Sequence, residues 1–119
     1  MGKVVVDTNI VIDFLKNHQP AYAIFAENDV YISRVVYIEV LAGAKDKEQE
    51  EAAKSLLEMF PNIDISEAIA EIAARIRREK KLRLRDAIIY ATAKYLGATL
   101  ITRDSNDFKP EWLDVKIPY

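Results

Sequence analysis

The stretch Lys3-Val4-Val5-Val6-Asp7-Thr8-Asn9-Ile10-Val11, running on to Phe14 and Leu15, sets the architecture of this chain. A short, continuous β-branched run reads as a strand buried on both faces, of the kind found in the middle of a parallel sheet. The run stops at Asp7. Thr8 and Asn9 then offer capping side chains, and Ile10, Val11, Phe14 and Leu15 recur at helical spacing until the polar break at Lys16–Gln19. Strand, turn with an acid, helix: this is the opening of a β–α alternation.

The alternation continues outward. Pro20 suits the first turn of a second short helix reaching Phe25 and Ala26, and Asn28-Asp29 turns the chain into a strand at Val30–Ile32. Ser33 can cap a helix over about 34–42, with Val36, Val40 and Leu41 on its apolar face and Gly43 just past its end. The next helix starts at Asp46, with Gln49 placed for a capping box, and buries Ala53, Leu56, Leu57 and Phe60 before Pro61. Asn62–Ile65 is a weak strand. Ser66 caps a helix whose Ile69, Ile72, Ala73 and Ile76 form one buried stripe, and Leu84 opens an alanine-rich helix that ends near Leu96 and Gly97. Thr99–Thr102 forms a strand, Arg103–Asp107 a turn, and Val115–Ile117 a short tail strand. Five or so strands alternating with helices predict an α/β fold, a mostly parallel central sheet with helices on both faces.

Composition narrows the function. A length of 119 residues fits one domain with a core of its own. With 17 basic and 19 acidic residues the formal charge is −2, so a polyanion would have to be held by a local basic patch. The absence of cysteine removes disulfides, thiolate nucleophiles and thiolate metal sites. The one histidine, His18, lies in a polar stretch before Pro20 and reads as a solvated turn residue, since a zinc site needs several N or S ligands. Three glycines cannot build a phosphate-binding loop or a dinucleotide-binding turn. No apolar run approaches the ~20 residues of a membrane span, and Met-Gly-Lys leads straight into a strand without a leader. A cytoplasmic protein with no membrane partner is expected.

Four acids remain as candidates for chemistry: Asp7 after the first strand, Glu39 between Ile38 and Val40 in a helix, Asp86 at the start of another helix, and Asp104 after a late strand. Each aspartate alone is explained as a cap or turn residue. Glu39 is less easily explained, because apolar residues surround it along the helix and an unpaired charge there is costly. Jointly, strand ends and helix starts of an α/β pattern converge at the carboxyl edge of the sheet, where ligands bind. Clustered carboxylates call for a cation, and hard oxygen donors favour Mg²⁺, with Mn²⁺ able to substitute. Such an ion activates water for attack at phosphorus and stabilises the departing oxygen, so no side-chain nucleophile is required.

The segments Val6-Asp7-Thr8-Asn9, Glu39-Val40-Leu41-Ala42-Gly43, Asp86-Ala87-Ile88-Ile89 with Ala91-Thr92-Ala93, and Ile101-Thr102-Arg103-Asp104-Ser105-Asn106-Asp107-Phe108 resemble, in order, the motifs of PIN-domain ribonucleases, and most nearly VapC toxins of prokaryotic toxin–antitoxin pairs. Each motif is weak alone; four in order, across Val4 to Phe108, are specific. The resemblance implies a single PIN domain over residues 1–119 with the three-layer fold of that family. It implies a metal-dependent endoribonuclease with Asp7, Glu39, Asp86 and Asp104 around Mg²⁺, a homodimer, and a VapB-type antitoxin that occludes the site. Asp7 and Asp86 are the surest ligands, and Glu39 binds directly or through water. The fourth place falls to Asp104 or to Asp107, the latter equally well read as a turn residue before Phe108. Thr8 and Asn9 are candidate supports of the first acid, and Thr102 of Asp104.

The run Arg75, Arg77, Arg78, Lys80, Lys81, Arg83 and Arg85 suits a helix C-terminus and a solvated face. Its members nearest the acids, Arg83 and Arg85, with Arg103, are candidate contacts to RNA phosphates. Sequence neighbours do not share a helix face, so Arg85 is not assigned to neutralise Asp86. Two rivals stand beside the toxin: a PIN nuclease of RNA processing, and a catalytically weak PIN module that binds RNA or protein. An aspartyl-phosphate hydrolase is a third class, but Asn9 stands where such a loop carries its second aspartate.

Overall fold

The computed structural model describes residues 2–119. Five strands, β1 (Lys3–Val6), β2 (Asp29–Ser33), β3 (Asn62–Ile63), β4 (Thr99–Ile101) and β5 (Val115–Lys116), form one sheet in the order β3-β2-β1-β4-β5. All four pairings are parallel. Val4, Val5 and Val6 are all buried although alternate side chains point to opposite faces, so both faces of β1 are covered, as expected of a central parallel strand. Helices supply the cover, giving the three-layer α/β arrangement anticipated from the alternation.

The connections follow from local chemistry. Asp7 caps α1 (Thr8–Leu15) by accepting a hydrogen bond from the Thr8 N–H, and Pro20 lies in the first turn of α2 (Gln19–Glu27). Ser33 and Asp46 cap α3 (Arg34–Ala42) and α4 (Lys47–Leu57) in the same way. Gly43 caps α3 in a right-handed conformation, not the left-handed one usual for glycine. The fourth helix stops at Leu57, short of the expected Phe60, and the β3 strand is two residues long. Asn62 explains the early helix end: its amide nitrogen donates to the carbonyls of Leu57 and Phe60, closing the turn between them. Ser66 caps α5 (Glu67–Lys80), and α6 (Leu84–Leu96) ends at Gly97 with φ +65.

The path of the chain through the sheet positions the functional side chains. From β1 the chain steps outward to β2 and β3, then returns through α5 and α6 to β4 on the opposite side of β1. The strand order therefore reverses between β1 and β4, and a crevice opens at their carboxyl ends. Asp7 directly follows β1, its N–H bonded to the Ile101 carbonyl at 2.9 Å, and Thr102 directly follows β4.

Candidate metal centre

At this crevice lies a cleft of about 390 Å³ lined by Asp7, Thr8, Glu39, Arg83, Arg85 and Asp104. The Asp7 carboxylate is only 2% exposed and held from two sides, by the Thr8 N–H at 2.7 Å and the Thr102 hydroxyl at 2.7 Å. Asp86 sits in the first turn of α6 and is fully buried. Helix N-termini favour negative charge, which offsets part of the cost of burying it there. Glu39 projects from the middle of α3 and accepts the Thr8 hydroxyl at 2.6 Å. Burial opposes its ionisation, but hydrogen bonds from Arg85 and Thr8 and the charges of Arg85 and Arg83 outweigh that and hold its carboxyl below the ordinary glutamate value.

Asp104 does two jobs. One of its oxygens, Oδ1, accepts the N–H groups of Asn106 and Asp107 at 3.1 Å each, so it is the turn residue its position suggests. It also joins Asp86 and Asp107 in a group whose carboxylate oxygens lie within 4.8 Å of one another. Buried Phe108 anchors the turn that carries these two acids, packing edge-on against Tyr90. Burial first, and then the charges of Asp104 and Asp86, push the Asp107 carboxyl above its ordinary value.

The supports differ in detail from the expectation. Thr102 orients Asp7 by donating to it, and accepts the Asp104 N–H at 3.0 Å. Asn9 braces the far wall instead of the first acid: its amide nitrogen reaches the Thr102 hydroxyl at 3.5 Å and its oxygen accepts the Arg103 N–H at 3.2 Å. The Thr8 side chain serves Glu39, while its backbone serves Asp7.

The three arginines take different roles. Arg103 is engaged by Asp13, donating to both of its carboxylate oxygens at 2.7 and 3.2 Å, and the Tyr119 hydroxyl joins them at 2.8 Å. Asp13 carried no signal in the sequence, since its partners lie 90 and 106 positions away. Arg83 is 64% exposed and touches Asp86 at 3.0 Å and Asp107 at 3.4 Å. Arg85 does pair with Asp86, against the helix-face rule, and also with Asp7 and Glu39. The rule describes side chains along a helix surface. In the first turn of α6, at its open N-terminal end, a long arginine stem can fold across the mouth of the cleft.

The donor set suits a hard divalent cation. Its members are carboxylates gathered from β1, α3, α6 and the turn after β4, without histidine or sulfur, and two of them are buried. If all five acids are ionised, Arg83 and Arg85 leave three negative charges uncompensated in a confined space. Such a surplus draws divalent ions.

Comparison with known proteins identifies the family of this fold. The PIN domain family model matches residues 4–109. No curated protein matches the chain. Among solved structures, a chain of a toxin–antitoxin complex from Klebsiella pneumoniae is 38% identical over 98% of both chains, with a TM-score of 0.90. FitAcB from Neisseria gonorrhoeae is 25% identical over 97% of both, TM-score 0.79. VapBC2 from Rickettsia felis, bound to a DNA fragment from their promoter, is also 25% identical, over 90% of this chain and 91% of that one, TM-score 0.78. With the family model spanning residues 4–109 and a chain of a toxin–antitoxin complex 38% identical over 98% of both chains, the chain belongs to the PIN-domain family and, within it, is VapC-like.

Proposed function

We propose that this protein is a Mg²⁺-dependent endoribonuclease, the VapC toxin of a two-component toxin–antitoxin pair, working in the cytoplasm as a homodimer that a VapB-type antitoxin restrains. The observation that carries this reading is the convergence of acids from four separate segments: Asp7, Glu39 and Asp104 line the switch-point crevice, and buried Asp86 joins them through Arg85 and beside Asp104 and Asp107. The toxin role is supported by likeness to a chain of a toxin–antitoxin complex. Among the described residues no helix is long and apolar enough to cross a membrane.

In this reading Asp7, Glu39 and Asp86 hold the ion, with Asp104 or Asp107 completing the set. When bound, the ion supplies Lewis acidity for water attack at phosphorus and for charge on the departing oxygen. The chain's own residues do the positioning. Thr102 fixes the rotamer of Asp7, Thr8 fixes Glu39, and Phe108 fixes the turn that carries Asp104 and Asp107. Arg83, 64% exposed at the rim against 43% for Arg103, is the side chain best placed to meet an RNA phosphate.

The test is cleavage of single-stranded RNA with Mn²⁺ or Mg²⁺, comparing the wild type with Asp7→Asn. Expected are metal-dependent cleavage by the wild type, a loss of at least about 10²-fold in the variant, and products with 5′-phosphate and 3′-hydroxyl ends. A 2′,3′-cyclic phosphate would show attack by the ribose and overturn the water mechanism. A wild type that binds RNA without cutting it would leave only a binding module.

A further inference from the structure

Arg85 occupies the site that the proposed metal chemistry requires. Its Nε donates to Glu39 Oε2 at 2.7 Å. Its Nη2 reaches Glu39 Oε1 at 2.6 Å, Asp7 Oδ1 at 3.0 Å and Thr8 Oγ1 at 3.3 Å. Its Nη1 pairs with Asp86 Oδ1. The guanidinium thus binds three of the carboxylates at once. A guanidinium is cationic throughout the pH range of folded proteins, so the fork brings a full positive charge to these acids.

Asp7 and Asp86 are almost wholly removed from water, and like charges brought together there would force the cleft apart. A planar fork with five donors can satisfy several carboxylates simultaneously, which a lysine cannot. Arg85 is therefore an internal countercharge that lets these acids sit close. A divalent ion needs the same oxygen lone pairs. It cannot share Asp7 Oδ1, Glu39 Oε1 and Asp86 Oδ1 with a guanidinium at contact distance, because the two cations repel each other.

We propose that Arg85 is a tethered competitor of the divalent ion: it fills the Asp7–Glu39–Asp86 side of the site, and metal enters only as its guanidinium withdraws. This inference rests on the metal-dependent reading above. Withdrawal has a route, because the side chain starts in the first turn of α6 and remains 23% exposed at the mouth of the cleft. Its partner Glu39 is 33% exposed. The apparent affinity for metal is then the intrinsic affinity reduced by the fraction of molecules with Arg85 withdrawn. The site would be loaded only where free divalent ion is high enough to displace the arginine.

The experiment is calorimetric titration of the full chain with MnCl₂, without RNA, for wild type, Arg85→Gln and Arg85→Lys, with Asp86→Asn marking the specific site. If Arg85 is withdrawn in about a tenth of molecules, Arg85→Gln binds Mn²⁺ about tenfold more tightly than wild type. Arg85→Lys, which keeps charge but not the fork, should fall between. In EDTA the Gln variant should melt below the wild type, and Mn²⁺ should raise its melting temperature by more. A parallel Mg²⁺ titration of ¹⁵N-arginine-labelled wild type should move the Arg85 Nε–Hε resonance toward that of a free side chain; this readout stands even if Arg85→Gln fails to fold. Unchanged or weaker Mn²⁺ affinity in the variants, or an Arg85 resonance that ignores Mg²⁺, would overturn the competitor role and leave Arg85 a structural or phosphate-binding residue. If the wild type and Arg85→Gln both lack binding that Asp86→Asn abolishes, the metal-dependent reading itself fails, and this inference with it.

Discussion

Thr102 offers the sharpest test of how the acid site is built, because its fully buried hydroxyl touches three members of it. It donates to Asp7 Oδ2 at 2.7 Å, and accepts from the Asp104 N–H at 3.0 Å and the Asn9 amide at 3.5 Å. Thr102→Val keeps the shape and removes the hydroxyl. A hydrogen bond to a charged group contributes about 1.5–3 kcal/mol. The part-buried Asp104 N–H, left without its acceptor, adds about 1 kcal/mol, the low end of the range for an unsatisfied donor. The expected loss is about 3 kcal/mol. With a urea slope on the order of 1.5 kcal/mol per molar, the unfolding midpoint should fall by roughly 2 M. The measurement is urea unfolding in EDTA at neutral pH, with Thr102→Ser as control; serine keeps the hydroxyl and loses a buried methyl, about 1 kcal/mol. In a double-mutant cycle with Asp7→Asn the two sites should couple by about 1–2 kcal/mol. If valine costs no more than serine, and the cycle shows no coupling, Asp7 does not depend on Thr102 and the account of the first acid is wrong.

Other outcomes follow from the same structure. Phe108→Ala should cost about 3–5 kcal/mol in urea unfolding and also weaken Mn²⁺ binding by calorimetry, because the turn holding Asp104 and Asp107 loses its anchor; a stability loss with unchanged affinity would separate that turn from the site. Tyr90, 1% exposed, donates to Asp114 Oδ1 at 2.5 Å, so Tyr90→Phe should lose about 1.5–3 kcal/mol at pH 7. Burial opposes ionisation of Asp114, but Tyr90 and Lys94 overcome it and lower its carboxyl below the ordinary 3.8. A depressed folded value means stability that is present above 3.8 and lost as pH falls through the folded value, so Tyr90→Phe should flatten the acid limb of a stability–pH curve below pH 4. Lys81 ends α5 in the left-handed region at φ 57, and Lys81→Gly should raise stability by about 0.5–1 kcal/mol. Gly97→Ala at φ +65 has open space for a methyl but the wrong backbone, and should lower stability by about 1 kcal/mol; equal effects at the two positions would refute the backbone explanation.

Much of the fold was legible because each signal for it is local. Three valines ending at an aspartate specify a buried strand and a capped helix within about ten residues, and the caps Ser33, Asp46 and Ser66 act as read, each accepting a hydrogen bond in its helix's first turn. Element ends were less legible where a distant or unusual bond sets them, as when Asn62 closes the turn after α4. The candidate acids were visible for a related reason. Asp7 and Asp104 each hold a turn and also face the cleft, so the local rule that explains an aspartate at a strand end also delivers a carboxylate to the carboxyl edge of the sheet.

Partners were not legible, because periodicity encodes which face a side chain occupies and carries no information on which distant charge will meet it. Arg103 meets Asp13 across 90 positions, and Arg85 meets Asp7 across 78 and Glu39 across 46. Both arginines adjoin a candidate ligand in sequence and both read as solvent-facing cations available to a polyanion. The fold decides otherwise for a physical reason. Acids drawn together by strand ends and helix starts accumulate charge faster than water in a narrow crevice can screen it, so the nearest long cations are drawn in to meet them. Arg85, beside the switch-point acid Asp86, therefore belongs to the acids' own charge balance, whereas Arg103, beside Asp104, is drawn off to Asp13 on α1. Arg83, about two thirds exposed while touching buried Asp86 and the rim acid Asp107, is the residue in which the two roles can coexist.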